Sequence, residues 1–201
     1  VKRFLISLGI ALLLVALIAG AIIAGTVFQV QQLKARQDSL IAKYGVQVLT
    51  LCKTPPTTGK PKTAKGKAKL LVVNTLDSTV YEPFQNALND TLRATSADDL
   101  TTLICLTGDH HSLGEDSDCA YHGTSQVLHR FANDLHLTAI DIASAHTVLD
   151  DITLPGTDPG DCPEKVSVSD NGSLEQTDLQ GAAPTPEDFV DLINRTNRLT
   201  S

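Results

Sequence analysis

Between Phe4 and Phe28 the chain carries no charged side chain, and Ser7 and Thr26 are its only polar ones. Twenty-five such residues wound into a helix rise roughly 37 Å at about 1.5 Å per residue, enough to cross a hydrocarbon core of about 30 Å with some tilt. Lys2 and Arg3 ahead of the run resemble the charged start of a secretory signal, and Ala19-Gly20-Ala21 offers small residues at a cleavage position. The run nevertheless continues past the roughly 7–15 residues of a signal core. The expectation is therefore an uncleaved signal-anchor over residues 1–28, crossing the membrane once. Orientation is close to a tie by positive charge, because Lys2 and Arg3 face Lys34, Arg36 and Lys43 across the segment.

Charge divides the rest of the chain sharply. Residues 1–69 hold 11 Lys and Arg against the single acid Asp38, whereas residues 70–201 hold 5 against 22 acids. So acidic a C-terminal part argues against nucleic acid as a partner, since phosphate binding needs a cationic surface. The basic part lies beside the membrane segment, where each Lys or Arg near anionic headgroups contributes about 1 kcal/mol; the simpler alternative is a soluble tether.

Val30, Leu33, Leu40, Ile41, Tyr44 and Val48 recur near helical spacing. An amphipathic juxtamembrane stalk helix is expected over 29–52, loosened near Gly45. Its apolar stripe needs a partner, which could be the chain's own domain, a second copy through the N-terminal helix, or the lipid bilayer. Residues 53–69 (KTPPTTGKPKTAKGKAK) lack apolar periodicity and read as a flexible Lys/Pro/Gly linker. Residues 70–201 are enough for one domain.

Within that domain Leu70–Val73 reads as a buried strand, Pro83 opens a helix carrying Phe84, Ala87, Leu88 and Leu92, and Leu100–Leu106 is a second strand. A polar loop, TGDHHSLGEDSD, comes next. Residues 125–142 alternate like a long or bulged strand, with a helix over 124–133 as the alternative. Ser144–Thr147 makes a turn into a strand at Val148–Leu154. Residues 156–184 form a loop by composition. Thr185-Pro186-Glu187-Asp188 then caps a last helix bearing Phe189, Leu192 and Ile193. The expected fold class is α+β: an antiparallel or mixed sheet with one or two helices packed on one face.

All four cysteines, Cys52, Cys105, Cys119 and Cys162, lie downstream of the apolar run, and none forms a C-x-x-C pair. In a domain poor in aromatic residues, an even count fits two disulfides in an oxidising, extracytoplasmic compartment; the alternative is four buried thiols in the cytoplasm. Four cysteines permit three pairings. The favoured one joins Cys105 to Cys119, a loop closure worth about 3 kcal/mol, and leaves Cys52 with Cys162.

Two resemblances bear on this pattern. Ile104-Cys105, Cys119-Ala120-Tyr121, the long alternating strand and hairpin, and Gly156-Thr157-Asp158-Pro159-Gly160-Asp161-Cys162-Pro163 together resemble uncharacterised extracytoplasmic domains of single-pass bacterial envelope proteins, over roughly residues 70–198. That resemblance implies a compartment and no catalytic residue. The N-terminal helix, apolar and then amphipathic, carrying a disulfide-bonded sheet domain, is similar to type IV pilin-like subunits, although Leu5 stands where the bacterial family carries Glu.

Donor-rich segments are few. Asp109, His110, His111 and His122, with Glu115, Asp116 and Asp118 nearby, are the candidate zinc or copper ligands, but the usual helical or C-x-x-C spacing is missing. His110 and His111, being adjacent, would face opposite ways in a strand. His129, His136 and His146 read as isolated surface or sheet-face residues. Asp158, Asp161 and Asp170, with Asp150, Asp151 and Glu164, could donate oxygens to calcium, without EF-hand spacing. No nucleophile elbow or P-loop is present. Asn89, Asn171 and Asn194 begin N-x-S/T triplets, which matter only in a eukaryotic secretory protein. The reading is a non-enzymatic domain for binding an envelope protein or ligand, with no cofactor; the alternatives are a pilin-like filament subunit and a metal-binding hydrolase or copper-handling domain.

Overall fold

A computed structural model describes residues 24–57, 68–114, 117–122, 126–169 and 173–196. Residues 4–23 of the apolar run, most of the 53–69 segment, and Glu115, Asp116, Asp170 and Asn171 lie outside these. Among the described residues no helix is long and apolar enough to cross a membrane.

The fold is α+β, with a mixed sheet and a few helices. A helix over 24–44 (α1) ends where Gly45 takes φ +87°, and α2 (Gln47–Lys53) follows the break. A side chain other than glycine is strained at such an angle, so the loosening expected at Gly45 is a true interruption. The strands are β1 (Leu70–Asn74), β2 (Thr79–Val80), β3 (Thr102–Ser112), β4 (Cys119–Ala120), β5 (Val127–Asp141), β6 (His146–Leu154) and β7 (Asp178–Gln180). Between them lies α3 (Glu82–Ala87), and α4 (Pro186–Arg195) comes after β7.

In the sheet, β2 lies antiparallel to β1, β1 parallel to β3, and β3 antiparallel to β5 from Thr102↔Asp141 to Ser112↔Phe131. The far edge of β5 takes β6 antiparallel and β7 parallel, while β4 pairs with its start at Cys119↔Leu128. The aliphatic run Leu70–Val73 is buried throughout because β1 is covered on both faces, the situation that favours continuous rather than alternating apolar residues.

Helices flank both faces, which corrects the expectation of one. On one face Phe84 and Leu88, from α3 and its end, and Phe189 and Ile193 of α4 pack on Leu70, Val72, Ile104, Leu106, Leu137 and Ala139. On the other, Leu40, Tyr44, Val48 and Cys52 pack on Leu71, Val73, Leu103, Cys105 and Ile140. Spacing by four puts Leu40, Tyr44, Val48 and Cys52 on one stripe, and the partner of that stripe is the chain's own sheet. The Tyr44 hydroxyl donates to the Ala94 carbonyl at 3.0 Å. Of the three partners the sequence allows for the stripe, its C-terminal half has therefore found the domain itself. The segment 53–69 connects two elements of that same core: Cys52 is buried in it at one end, and at the other Lys69 N donates to Thr101 Oγ1 beside β1.

Local chemistry accounts for several boundaries. The helix opened by Pro83 stops at Ala87 instead of reaching Leu92, because Asn89 Oδ1 accepts from the backbone N–H groups of Thr91 and Leu92, the Asx turn that competes with helix. Thr185 and Asp188 form a reciprocal capping box at α4, with Pro in its first turn. The stretch expected as a polar loop after Leu106 is strand as far as Ser112. Beyond Leu106 every residue of β3 is exposed, so no apolar alternation marks the strand. Here β3 is the outer strand of an arm past the helix-covered part of the sheet, with β5 beside it and β6 and β7 on the far edge of β5.

The disulfides are Cys52–Cys105 and Cys119–Cys162, not the pairing expected from sequence. Cys105 pairs with Thr138 and Cys119 with Leu128 on the same strand β5, and ten residues of strand span about 33 Å. A bridge needs Cα atoms within about 7 Å, so Cys105 and Cys119 cannot meet.

Candidate functional site

Strand period places alternate residues of the arm on opposite faces, so His110 and His111 separate. His110 stacks on Phe131 at 4.4 Å, and its Nδ1 lies 2.7 Å from Asn133 Oδ1. His111 lies on the other face, its Nδ1 3.4 Å from Asp109 Oδ2. His122 is exposed just after β4. The pairs Ala120↔Val127 and Asp109↔Asp134 put seven residues of β5, about 23 Å, between those positions. The four candidate ligands are thus not gathered, apart from Asp109 with His111. Among the described residues no group of three or more His, Cys, Asp or Glu is arranged to hold a metal ion. Asp158 and Asp161 are both exposed and belong to no such group. Their loop is strapped down instead by Cys119–Cys162 and by Arg130, whose Nη2 donates to the Gly160 carbonyl at 2.6 Å.

What the register does assemble is a row of alternating acids and imidazoles across the exposed face of the arm. Thr107↔His136 and Asp109↔Asp134 set His136 diagonally across from Asp109, and its Nε2 lies 3.5 Å from Asp109 Oδ2. On the other side a bulge intervenes. Leu137 faces Ile152 and Ala139 faces Leu149, so Asp150 and Asp151 together oppose Thr138. Asp151 takes φ +47°, and bulges of this kind re-aim a side chain. The carboxylate of Asp151 meets His136, whose Nδ1 donates to Oδ1 at 2.7 Å. The row therefore runs His111, Asp109, His136, Asp151. A second pair lies nearer the start of β5, where His129 Nδ1 is 2.8 Å from Asp118 Oδ2, a carboxylate that also accepts from Arg130 N at 3.2 Å.

Partial burial of His136 works against its charged form, but the hydrogen bonds to Asp151 and Asp109, with their charges, outweigh it and hold its pKa above the ordinary imidazole value of 6.5. Between two carboxylates the imidazolium donates from both nitrogens, so this position holds its proton more tightly than a free imidazole does. The folded chain holds that proton more tightly than the unfolded chain does. Protonation therefore favours the fold, and the contribution is complete below 6.5 and lost as pH rises through the raised value. In an NMR titration His136 is expected to show a midpoint above 6.5, which Asp151→Asn lowers. A midpoint at or below the ordinary value would contradict this account.

Sequence spacing singles out Asp109 and His111 but leaves His136 among the isolated histidines and Asp151 among the calcium donors. Their meeting depends on register and on one bulge, neither of which residue spacing encodes. No family model matches the chain, and neither a curated protein nor a solved structure shows significant similarity to it.

Proposed function

We propose that this chain is a single-pass, membrane-anchored protein whose disulfide-bonded α+β domain acts outside the cytoplasm, binding a partner or taking part in envelope assembly. The observation that carries the reading is the continuity of α1. Residues 24–28 of the apolar run belong to this helix, and its final turns and α2 pack on the sheet domain and are bridged to it through Cys52–Cys105. An anchor joined in this way holds the domain at a fixed height and orientation, which a flexible tether does not. Two bridges with no free cysteine favour an oxidising compartment.

Carbonate washing of membranes from expressing cells tests this directly. The full chain is expected to stay in the pellet, and a chain lacking 1–28 to be released. Release of the full chain would remove the proposal.

The pilin-like reading stays as the second proposal because the first half of α1 leaves Val27, Phe28 and Val30 exposed while the second half packs on a sheet. In that case sheared cell-surface material should contain filaments of this chain when viewed by electron microscopy. Recovery only in detergent-solubilised membranes would count against it.

A further inference from the structure

The domain from residue 70 onward is strongly acidic, yet a groove among the described residues draws its charged lining mainly from cations. It has a volume of about 830 Å³, lies between α1 and the β2–α3 edge of the sheet, and brings together Arg36, Ser39 and Lys43 of α1 with Glu82, Asn86 and Arg93. That volume falls in the range of ligand sites, about 300–1,000 Å³. Three cations and one acid, Glu82, line the groove, with Asp90 3.9 Å from Arg93 outside the lining, so positive charge is in excess there. Among the described residues neither Arg36 nor Lys43 has an acid partner; the Lys43 ammonium rests 5.2 Å from the centre of the Tyr44 ring.

Arg93 is held by neutral groups. Its Nη2 donates to the Asn86 and Leu88 carbonyls at 3.0 and 2.6 Å, while its Nε is buried without a partner. Its acid neighbour Asp90 is 3.9 Å away and fully out in solvent. Carbonyl oxygens fix the guanidinium without neutralising it, which leaves a rigid positive charge at the groove wall. Such a fixed charge attracts an oxyanion.

We propose that this groove binds a phosphate-bearing anion. An anionic tetrahedral group complements the excess positive charge and can accept donors from both walls at once, Arg36 and Lys43 from α1 and Arg93 from the opposite side. Its position suggests a source. Arg36 lies eight residues beyond Phe28, about 12 Å along the helix. Helical side chains lean back toward the N-terminus, so the guanidinium of Arg36 approaches the headgroup layer of a bilayer that ends near Phe28. This last step rests on the membrane-anchored reading; the charge and shape of the groove do not.

The test is isothermal titration calorimetry of the detergent-solubilised full chain with three probes: inorganic phosphate, short-chain phosphatidylglycerol, and short-chain phosphatidylcholine. Binding of phosphatidylglycerol but not phosphatidylcholine is expected, and Arg36→Gln with Lys43→Gln should weaken it on the order of tenfold. Lys34→Gln, a basic position of α1 outside the groove, should leave it unchanged. Arg93 is not the residue to vary, because its carbonyl contacts bear on folding. Binding of inorganic phosphate as well would make a free phosphate group sufficient; phosphatidylglycerol alone would make a lipid headgroup the source. No binding of either anion, equal binding of the two lipids, or equal loss on Lys34→Gln would overturn the proposal. Each of these results leaves the carbonate-wash result of the full chain where it stands.

Discussion

Replacing Cys52 and Cys105 together by alanine is expected to lower stability by about 4 kcal/mol, the chain-entropy value for a loop of this length, from a sequence separation of 53 residues. The bridge does more than close a loop. It fastens α2 to the central strand β3, with both cysteines buried among Leu71, Val73, Leu103 and Ile140. Losing it frees the helix that links the apolar run to the sheet. The Cys119–Cys162 bridge closes a loop of similar length, 43 residues, but it sits in a small satellite cluster with Leu128 and Leu174. Its removal should loosen the 156–169 segment and leave the central sheet folded. Urea unfolding monitored by circular dichroism, together with amide exchange, distinguishes the two: a large fall in midpoint for the first pair, and a local loss of amide protection for the second. A change below about 1 kcal/mol for the first pair would mean that α2 docks without its bridge.

The second large effect is expected at Phe189. Its ring stacks on that of Phe84 at 4.4 Å and 11°, and both residues are fully buried. This pair joins α3 to α4 over Leu70, Val72 and Ile104. Phe189→Ala removes a large side chain from a closed site and should cost about 3–5 kcal/mol, since the surroundings collapse only in part. Phe189→Leu fills most of the space and should cost markedly less. Thermal unfolding of the two variants gives the comparison: equal losses would contradict the space-filling argument, and losses below about 1 kcal/mol for both would show that α4 contributes little to the core.

The sheet is legible in the sequence where burial imposes a pattern. Leu70–Val73 is apolar because both its faces are covered, and Thr185, Pro186 and Asp188 mark the start of α4 by chemistry local to one turn. The hairpin of β5 and β6 is readable from its alternation and turn, but its bulge, where Asp150 and Asp151 together oppose Thr138, is not. Residues 107–112 are not readable, because a strand exposed on both faces has no apolar period. The second helical layer escapes for a different reason. The stripe Leu40, Tyr44, Val48 is plain, but nothing in its spacing says whether its partner is lipid, another copy or the chain's own sheet.

The disulfide pairing expected from sequence fails on topology. Cys105 and Cys119 are close along the chain, and that proximity favours pairing only if the chain between them turns back. Here β3 runs on past Cys105 for seven residues, carrying the chain down the arm to where Cys119 pairs with the start of β5. The row of His111, Asp109, His136 and Asp151 is hidden by the same strand. Once β3 is known to continue, the opposition of Thr107 to His136 brings Asp109 within reach, and only the φ of Asp151 remains beyond the sequence.

The central claim is that the sheet domain stands outside the cytoplasm on a membrane anchor joined rigidly to it. Thiol mapping on intact cells tests it most directly: alkylation with a membrane-impermeant reagent before and after reduction, with the peptides then identified by mass. The account predicts no alkylation before reduction, labelling of all four cysteines after it, and bridged peptides linking Cys52 to Cys105 and Cys119 to Cys162. Four free thiols that react only after lysis would put the domain in the cytoplasm and contradict the account.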